Sequence, residues 1–267
     1  WQGRTGLSLY HPASEQISFA SDFPNDTGKY HIIKCIEKCR TQPGIWAASG
    51  NACVVHLQHE SMKMKCIQEI RIPDACQVRV LHEDDQGNLW IGTENAIYQY
   101  SISDGNMRRI HKDTGAINGI AISPDKAIYY ITETPEFSCL PPDGQVHSIH
   151  KGENYSSIII SPDNKIWTAT LEGNVYSYHP QLQTLAREDN ACNANGDAVK
   201  SMTVDNLGHL WILADQYVKE YNPKNHSFRI LYNSDRFIQV DYFLSIGKIE
   251  NGTICLGGIG AFCLATP

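Results

Sequence analysis

The sequence predicts an all-β fold, namely a seven-bladed β-propeller of four-stranded antiparallel blades. Three observations lead to this prediction. A short apolar motif with an aromatic residue at its centre recurs along the chain, its copies are regularly spaced, and no segment has the period of an amphipathic helix. A repeat of about forty residues that holds four short strands is typical of propeller blades.

The clearest copy of the motif is Asn-Leu-Trp-Ile-Gly-Thr at residues 88–93. We call the central residue of each copy its anchor. The anchors are Trp1, Trp46, Trp90, Tyr129, Trp167, Trp211 and Cys255. Successive anchors lie 38 to 45 residues apart. Seven anchors predict seven blades, of which the first and last are incomplete, within a single domain that covers residues 1–267.

The third repeat shows how each blade is expected to be built. Residues 78–83 form strand a, residues 89–93 strand b, residues 97–101 strand c and residues 107–110 strand d. Short apolar or alternating runs separated by Gly, Asp, Asn and Pro are the signals of strands and hairpins. The sequence therefore predicts an antiparallel four-stranded unit.

The recurring aromatic and acidic residues have structural explanations. A tryptophan that recurs once per blade on strand b is expected to pack between neighbouring blades, so the anchors are not candidate binding residues. Aspartates recur in the turn between strands a and b. These are Asp84, Asp125, Asp163 and Asp205. We interpret them as turn formers and not as calcium ligands.

Charge and composition exclude some classes of function. The 22 Lys and Arg against 29 Asp and Glu give a formal net charge of -7, which argues against nucleic acid as the partner. No apolar run approaches the length of a membrane span, so we expect a soluble piece of a longer protein. Nine cysteines are too few for a disulfide scaffold. Cys255 and Cys263 flank a glycine-rich turn symmetrically, so they could face each other across a hairpin, and they are the one candidate disulfide.

Two segments resemble a known family. Residues 84–101 resemble the two-component-regulator propeller repeat, and residues 251–262 look like the last propeller repeat of hybrid two-component sensors. In that family this repeat precedes an immunoglobulin-like domain, a membrane helix and a histidine kinase. The resemblance implies the periplasmic sensor part of an inner-membrane protein, which detects glycan-derived oligosaccharides without catalysis and acts as a homodimer.

A candidate ligand site follows from the repeat. The position eleven residues before each anchor is held by Cys35, Arg79, Asn118, Ser156, Lys200 and Leu244. Strand a begins there, at the mouth of the expected channel. We predict a channel-mouth site made of Arg79, Lys200, Asn118, Asn154, Tyr155, Arg236 and Tyr242. These cations, amides and aromatic rings suit an oligosaccharide with carboxylate or sulfate groups. A simpler alternative is that Arg79 and Lys200 only neutralise acidic neighbours.

Two other classes of function stay open. One is a non-catalytic propeller that serves protein interaction or dimerisation. The other is an enzyme, because residues 118–125 resemble a stretch of calcium-dependent propeller lactonases that carries a metal-ligating Asn. Only Asn118 among the six positions is a good ligand for calcium, and two of the six are cations. We therefore predict no metal, no cofactor and no catalytic residue, although a propeller lyase is not excluded.

Overall fold

The structure is a computed structural model. It describes residues 2–3, 6–11, 16–19, 33–49, 52–60, 63–74, 77–112, 115–142, 144–192, 196–214, 217–232, 243–249, 252–258 and 262–266. The chain divides into two compact units, Trp1–Ile120 (unit 1) and Ala121–Pro267 (unit 2). The described residues form strands and turns, and they include no helix that is long and apolar enough to cross a membrane.

Unit 1 opens with a three-stranded sheet, which we call the N-terminal sheet, and continues with two four-stranded sheets. The N-terminal sheet contains β1 (Gln2–Gly3), β2 (Gly6–His11) and β3 (Gln16–Phe19). Blade 1 contains β4 (Ile33–Lys38), β5 (Ile45–Ser49), β6 (Cys53–Glu60) and β7 (Lys63–Arg71). Blade 2 contains β8 (Val78–Glu83), β9 (Asn88–Thr93), β10 (Ala96–Ser101) and β11 (Met107–Lys112).

The boundary between the units falls inside the first strand of blade 3. Blade 3 contains β12 (Ile117–Ile122), β13 (Ile128–Thr132), β14 (Glu136–Leu140) and β15 (His147–Lys151). Blade 4 contains β16 (Tyr155–Ile160), β17 (Ile166–Thr170), β18 (Val175–His179) and β19 (Thr184–Arg187). Blade 5 contains β20 (Val199–Val204), β21 (Leu210–Ala214), β22 (Tyr217–Asn222) and β23 (Ser227–Tyr232). Blade 6 contains β24 (Phe243–Lys248), β25 (Ile254–Gly258) and β26 (Phe262–Ala265).

The prediction of seven blades is wrong, because the residues that the structure describes form six. We define a blade as a sheet that begins with strand a and continues with strands b and c, and in most cases strand d. Blades 1 to 5 have four antiparallel strands, and blade 6 has three among the described residues. The N-terminal sheet has three strands, the first of only two residues, and no a strand in the part that the structure describes. The error came from counting the segment that begins at Trp1 as a first, incomplete blade, and Trp1 itself lies outside the described residues.

The four anchor tryptophans that the structure describes lie in the core, as predicted. Trp46, Trp167 and Trp211 are almost completely buried, and Trp90 is 7% exposed. In unit 1, one cluster joins Trp46, Ala48 and Val54 of blade 1 to residues of blade 2. The corresponding cluster in unit 2 joins Trp167 of blade 4 to residues of blade 5. Face-to-face packing of sheets through alternate residues explains why strand b is buried along its whole length.

The aspartates of the a–b turns build those turns, again as predicted. Oδ1 of Asp84 accepts hydrogen bonds from the backbone amides of Gln86 and Asn88, both at 2.9 Å. Oδ1 of Asp205 accepts from the amides two and four residues later, at 2.8 and 2.9 Å. Gly87 and Gly208 close the two turns at φ of 78° and 85°, a left-handed conformation that favours glycine.

The expected Cys255–Cys263 contact is not formed as a cross-strand pair. In the pairing of β25 with β26, Cys255 lies opposite Leu264, while Cys263 lies opposite Leu256. Because successive side chains of a strand point to opposite faces, the two cysteines lie on opposite faces of blade 6. Both thiols are free in the structure, which is consistent with this register.

Candidate functional site

The start of strand a has the same irregularity in five blades. The pairing register between strands a and b shifts by one residue between Ile33 and Cys35, Val78 and Val80, Tyr155 and Ser157, Val199 and Ser201, and Phe243 and Ser245. At each shift strand a has one residue more than strand b, which is the pattern of a β-bulge. The extra residues are Lys34, Arg79, Ser156, Lys200 and Leu244, and we call them the bulge row.

A bulge changes the direction of the side chain that it carries. The residue before the bulge is a core residue in every blade where its side chain is described. Ile33, Val78 and Val199 are at most 1% exposed. The bulge residues themselves are less buried, since Lys34 and Arg79 are exposed and Lys200 is half-buried. The sequence places a cation at three of these five positions, so the fold presents a series of positive charges at the starts of the a strands.

Lys34 is a member of the bulge row that the spacing argument missed. Counting eleven residues back from Trp46 gives Cys35, but the register shift falls on Lys34. Cys35 packs against the core of blades 1 and 2, and burial raises the pKa of its thiol to about 12. A different signal identifies the correct residue, because each a strand has apolar residues at its first and fourth positions, as in Ile33 and Ile36.

In unit 1, Arg79 and Asn118 lie on neighbouring a strands. Arg79 is the second residue of β8, and Asn118 is the second residue of β12. A Cβ atom built on Gly92 would lie 2.5 Å from Cγ1 of Val80 and 2.8 Å from Cγ2 of Ile117. Both strands therefore approach the same glycine next to the two predicted residues. Asn118 is half-buried and Arg79 is exposed, so both belong to the described surface of this unit.

In unit 2, Lys200 and the pair Asn154–Tyr155 lie at the same end of neighbouring a strands. The amide of Met202 donates a hydrogen bond to Oγ of Ser157 at 3.1 Å, which fixes β20 against β16. Lys200 precedes Met202 by two residues, and Tyr155 precedes Ser157 by two. The structure therefore brings these predicted residues to corresponding positions. Each unit holds two or more of the predicted residues at the starts of its a strands.

Tyr155 and Asn154 differ in how much surface they offer. Tyr155 is 3% exposed, its ring packs edge-on against Phe137 at 6.0 Å, and its hydroxyl bonds Nδ1 of His150. It occupies the position before the bulge, where blades 1, 2 and 5 have Ile or Val. Asn154 is exposed, and its amide donates to Oε1 of Glu172 at 2.5 Å. Asn154 is therefore the more accessible of the two. Arg236 and Tyr242 lie outside the described residues.

One group of side chains in blade 5 has the composition of a metal site. Potential ligand atoms of Asp205, His209 and Glu220 lie within 4.8 Å of one another. These atoms already have protein partners. Nε1 of Trp211 donates to Oδ2 of Asp205 at 2.9 Å, His209 Nδ1 lies 2.8 Å from Oε1 of Glu220, and Arg229 bonds Oε2 of Glu220. Because a guanidinium already compensates one carboxylate, this group is better explained as a hydrogen-bond network than as a cation site.

The comparisons with known proteins agree with this architecture. Residues 72–95 match the model of the family described as two component regulator propeller. This segment contains β8, the Asp84 turn and β9, and therefore Arg79. No curated protein matches the chain.

Solved structures share the fold over nearly the whole chain. The extracellular domain of the proposed one-component system BT4673 from B. thetaiotaomicron covers 99% of this chain at 17% identity, with a TM-score of 0.78. A second structure, of BT4673 as a proposed hybrid two-component system, covers 98% at 17% identity and a TM-score of 0.77. The extracellular domain of the proposed hybrid system BT3049 from the same organism covers 88% at 18% identity and 0.71.

The chain spans about a third of these structures, 36%, 36% and 33% of their lengths. At such low sequence identity the likeness establishes a shared fold. The fold of this chain is therefore shared with part of the extracellular domains of these proposed one-component and hybrid two-component systems.

Proposed function

We propose that this chain is the ligand-sensing propeller of a periplasmic or extracellular receptor domain, and that it binds an oligosaccharide without chemical turnover. The observation that carries the proposal is the match of 98–99% of the chain to the extracellular domain of a proposed sensor. A sensor needs a binding surface whose occupation favours one of two states of the receptor. We assign binding to the bulge residues and their neighbours within each unit, which are Arg79 and Asn118 in unit 1 and Lys200 and Asn154 in unit 2.

The residue types of the bulge row favour an anionic oligosaccharide. Lys34, Arg79 and Lys200 bring positive charge to the starts of three a strands on a chain whose net charge is -7. Ammonium and guanidinium groups bind carboxylates and sulfates through charge-assisted hydrogen bonds. Asn118 and Asn154 add amide groups that can bind sugar hydroxyls. In the full receptor we propose a homodimer in which ligand binding changes the arrangement of the subunits.

The test is isothermal titration calorimetry of the purified chain against pairs of oligosaccharides of equal length. In each pair one member carries uronate or sulfate groups and the other is neutral. We expect the anionic member of at least one pair to bind more tightly, and its affinity to fall as salt is raised. Mass spectrometry of the recovered ligand should show an unchanged mass. Absence of binding across the panel, or conversion of the ligand to a product, would contradict the proposed function.

A further inference from the structure

The turn between β17 and β18, residues 171–173, lies next to the unit 2 part of the proposed site, and we call it the blade 4 turn. The amide of Leu171 donates a hydrogen bond to the backbone oxygen of Asn154 at 2.9 Å. The side-chain amide of Asn154 in turn donates to Oε1 of Glu172 at 2.5 Å. The blade 4 turn therefore holds Asn154, to which we assign binding, through both its main chain and its side chain.

The blade 4 turn also meets the segment that leads to Lys200. A Cβ atom built on Gly196 would lie 3.5 Å from the backbone oxygen of Glu172, so the turn and this segment lie side by side. Gly196 precedes Lys200 by four residues, and four residues of extended chain span at most about 14 Å. A ligand that contacts both Asn154 and Lys200 therefore comes close to the blade 4 turn.

Hydrogen bonds within the blade 4 turn fix its conformation. The amide of Thr170 donates to the backbone oxygen of Asn174 at 3.0 Å, and the amide of Gly173 donates to that of Thr170 at 3.2 Å. The amide of Asn174 also donates to Oγ1 of Thr170 at 3.1 Å. A turn that is fixed in this way presents its side chains to a ligand without the entropic cost of ordering a loop on binding.

Leu171 departs from the repeat in a way that the fold does not require. The position four residues after the anchor is acidic in blades 2, 3 and 5, where it is held by Glu94, Glu133 and Asp215. In blade 4 this position is Leu171, which is 53% exposed. Because the turns of blades 2 and 3 form with a charged residue here, packing does not explain the leucine. Tyr155, which the sequence predicted as a contact for sugar CH groups, is buried, and Leu171 offers exposed apolar area in its place.

Glu172 adds a hydrogen-bond acceptor and a negative charge to the same surface. The residue is exposed, and an ionised carboxylate is an acceptor with about four lone-pair sites. Asn154 uses one of these sites, so hydroxyl groups of a ligand can donate to the carboxylate as well. A carboxylate or sulfate of the ligand at this position would instead be repelled, because like charges that face each other across an interface disfavour binding.

We infer that the blade 4 turn determines the specificity of the unit 2 site, because it accepts an uncharged sugar unit beside the anionic group that binds Lys200. Leu171 contacts the apolar face of the uncharged ring, and Glu172 accepts hydrogen bonds from its hydroxyls. This inference rests on the proposed function and deepens it. The site selects an oligosaccharide in which charged and uncharged units are neighbours, and the Glu172 carboxylate discriminates against a ligand that is charged on every unit.

The experiment is a ligand-observed NMR titration of the whole chain with two series of trisaccharides, one built from galactose and one from glucose. Each series has a neutral trimer, a trimer with a single terminal uronate, and a trimer in which every unit is a uronate. Glu172→Gln removes the charge but keeps an acceptor for Asn154, and Leu171→Ala removes the apolar contact. Circular dichroism checks that the variants are folded.

Two control variants remove the same groups elsewhere. Glu60→Gln neutralises a carboxylate of blade 1 whose side chain is 64% exposed. Leu182→Ala shortens a leucine that is 67% exposed in the turn between β18 and β19, at the other end of β18 from the blade 4 turn. Both controls should bind every trimer like wild type.

We expect the wild type to bind the singly charged trimer of at least one series about fivefold more tightly than the fully charged trimer. Glu172→Gln should remove this preference by strengthening binding of the fully charged trimer. Leu171→Ala should weaken binding of the singly charged trimer by roughly threefold or more. A preference that persists in Glu172→Gln, a wild type without the preference, or no binding of any trimer overturns the inference. The proposed function fails separately, if no oligosaccharide of the calorimetric panel binds.

Discussion

The indole Nε1 of Trp46 donates a hydrogen bond to Oε2 of Glu83 at 2.6 Å, across the boundary between blades 1 and 2. In blades 2 and 5 the anchor binds an aspartate of its own turn, as Trp90 binds Asp84 at 2.9 Å. Blade 1 has no aspartate in its a–b turn, whose residues 40–43 are Arg-Thr-Gln-Pro. The Glu83 carboxylate of blade 2 therefore replaces the aspartate that the turn of blade 1 lacks, and this hydrogen bond connects blades 1 and 2.

Glu83→Ala is expected to destabilise the protein by about 2–4 kcal/mol, because buried donors would lose their acceptor. The carboxylate of Glu83 is completely buried and accepts from Trp46 and from both the amide and the hydroxyl of Thr41, at 2.8 and 2.6 Å. Urea unfolding followed by tryptophan fluorescence measures the loss. Glu94→Ala, at a half-exposed turn residue, is the control. Equal stabilities of the two variants would disprove the role of Glu83.

A second buried pair beside this contact predicts a compensated pH dependence. Nδ1 of His82 lies 3.5 Å from Oε1 of Glu37. Burial raises the pKa of Glu37 from 4.5 to about 7, and burial lowers the pKa of His82 from 6.5 to about 4. The folded state therefore holds a proton on Glu37 that the unfolded state releases, and it lacks a proton on His82 that the unfolded state binds. Between pH 4.5 and 6.5 the two effects on the free energy of unfolding have opposite signs.

Single variants should reveal each half of this compensation. In Glu37→Gln only the His82 effect remains. The free energy of unfolding of this variant should therefore increase by on the order of 1–3 kcal/mol, relative to wild type, as the pH is raised from 4.5 to 6.5. In His82→Gln the free energy of unfolding should decrease as the pH is raised over the same range. The reason is that the folded state has to ionise the buried Glu37 carboxyl, whose pKa is raised. Urea unfolding at several pH values measures both slopes. Slopes that match wild type in both variants would contradict this prediction.

Lys219→Met is expected to lower stability by about 1–3 kcal/mol, although methionine keeps much of the packing volume. The buried ammonium binds the carbonyls of Ala191 and Cys192 in the segment that follows β19, and burial lowers the pKa of Lys219. Without it those carbonyls lose their donor. Hydrogen exchange should then accelerate at residues 188–192. Lys224→Met, at an exposed lysine of the next turn, should change neither stability nor exchange, and a similar loss in both variants would count against the role of Lys219.

The sequence was sufficient to predict the strands, the turns and the core, because each depends on local pattern. Trp90 on strand b and Asp84 in its turn both lie where the repeat places them. The number of blades was not predicted correctly. A copy of the anchor motif in the sequence does not reveal whether the sheet that follows it also contains a strand of type a. The partner of Trp46 was also beyond sequence reasoning, because it lies 37 residues away in another blade.

The candidate site was predicted in part, and the errors have simple causes. The residue before the bulge lies twelve positions before the anchor in blades 2, 4 and 5, but Ile33 lies thirteen before Trp46. The a–b turn of blade 1 is therefore one residue longer, which moved the predicted position from Lys34 to Cys35. The partners of Glu220 could not be predicted from spacing, because only the folded hairpin brings Arg229 and His209 to the same carboxylate.

The most direct test of the central claim is calorimetry of the bulge-row variants with the oligosaccharide that binds the wild type most tightly. Lys34→Ala, Arg79→Ala and Lys200→Ala each remove one cation from the start of an a strand. Lys112→Ala is the control, because this exposed lysine lies at the end of an outer strand. We predict that each of the three variants loses about 1.5–3 kcal/mol of binding free energy, roughly a ten- to hundredfold drop in affinity, while Lys112→Ala binds like wild type. Unchanged affinity in both Arg79→Ala and Lys200→Ala would contradict the account.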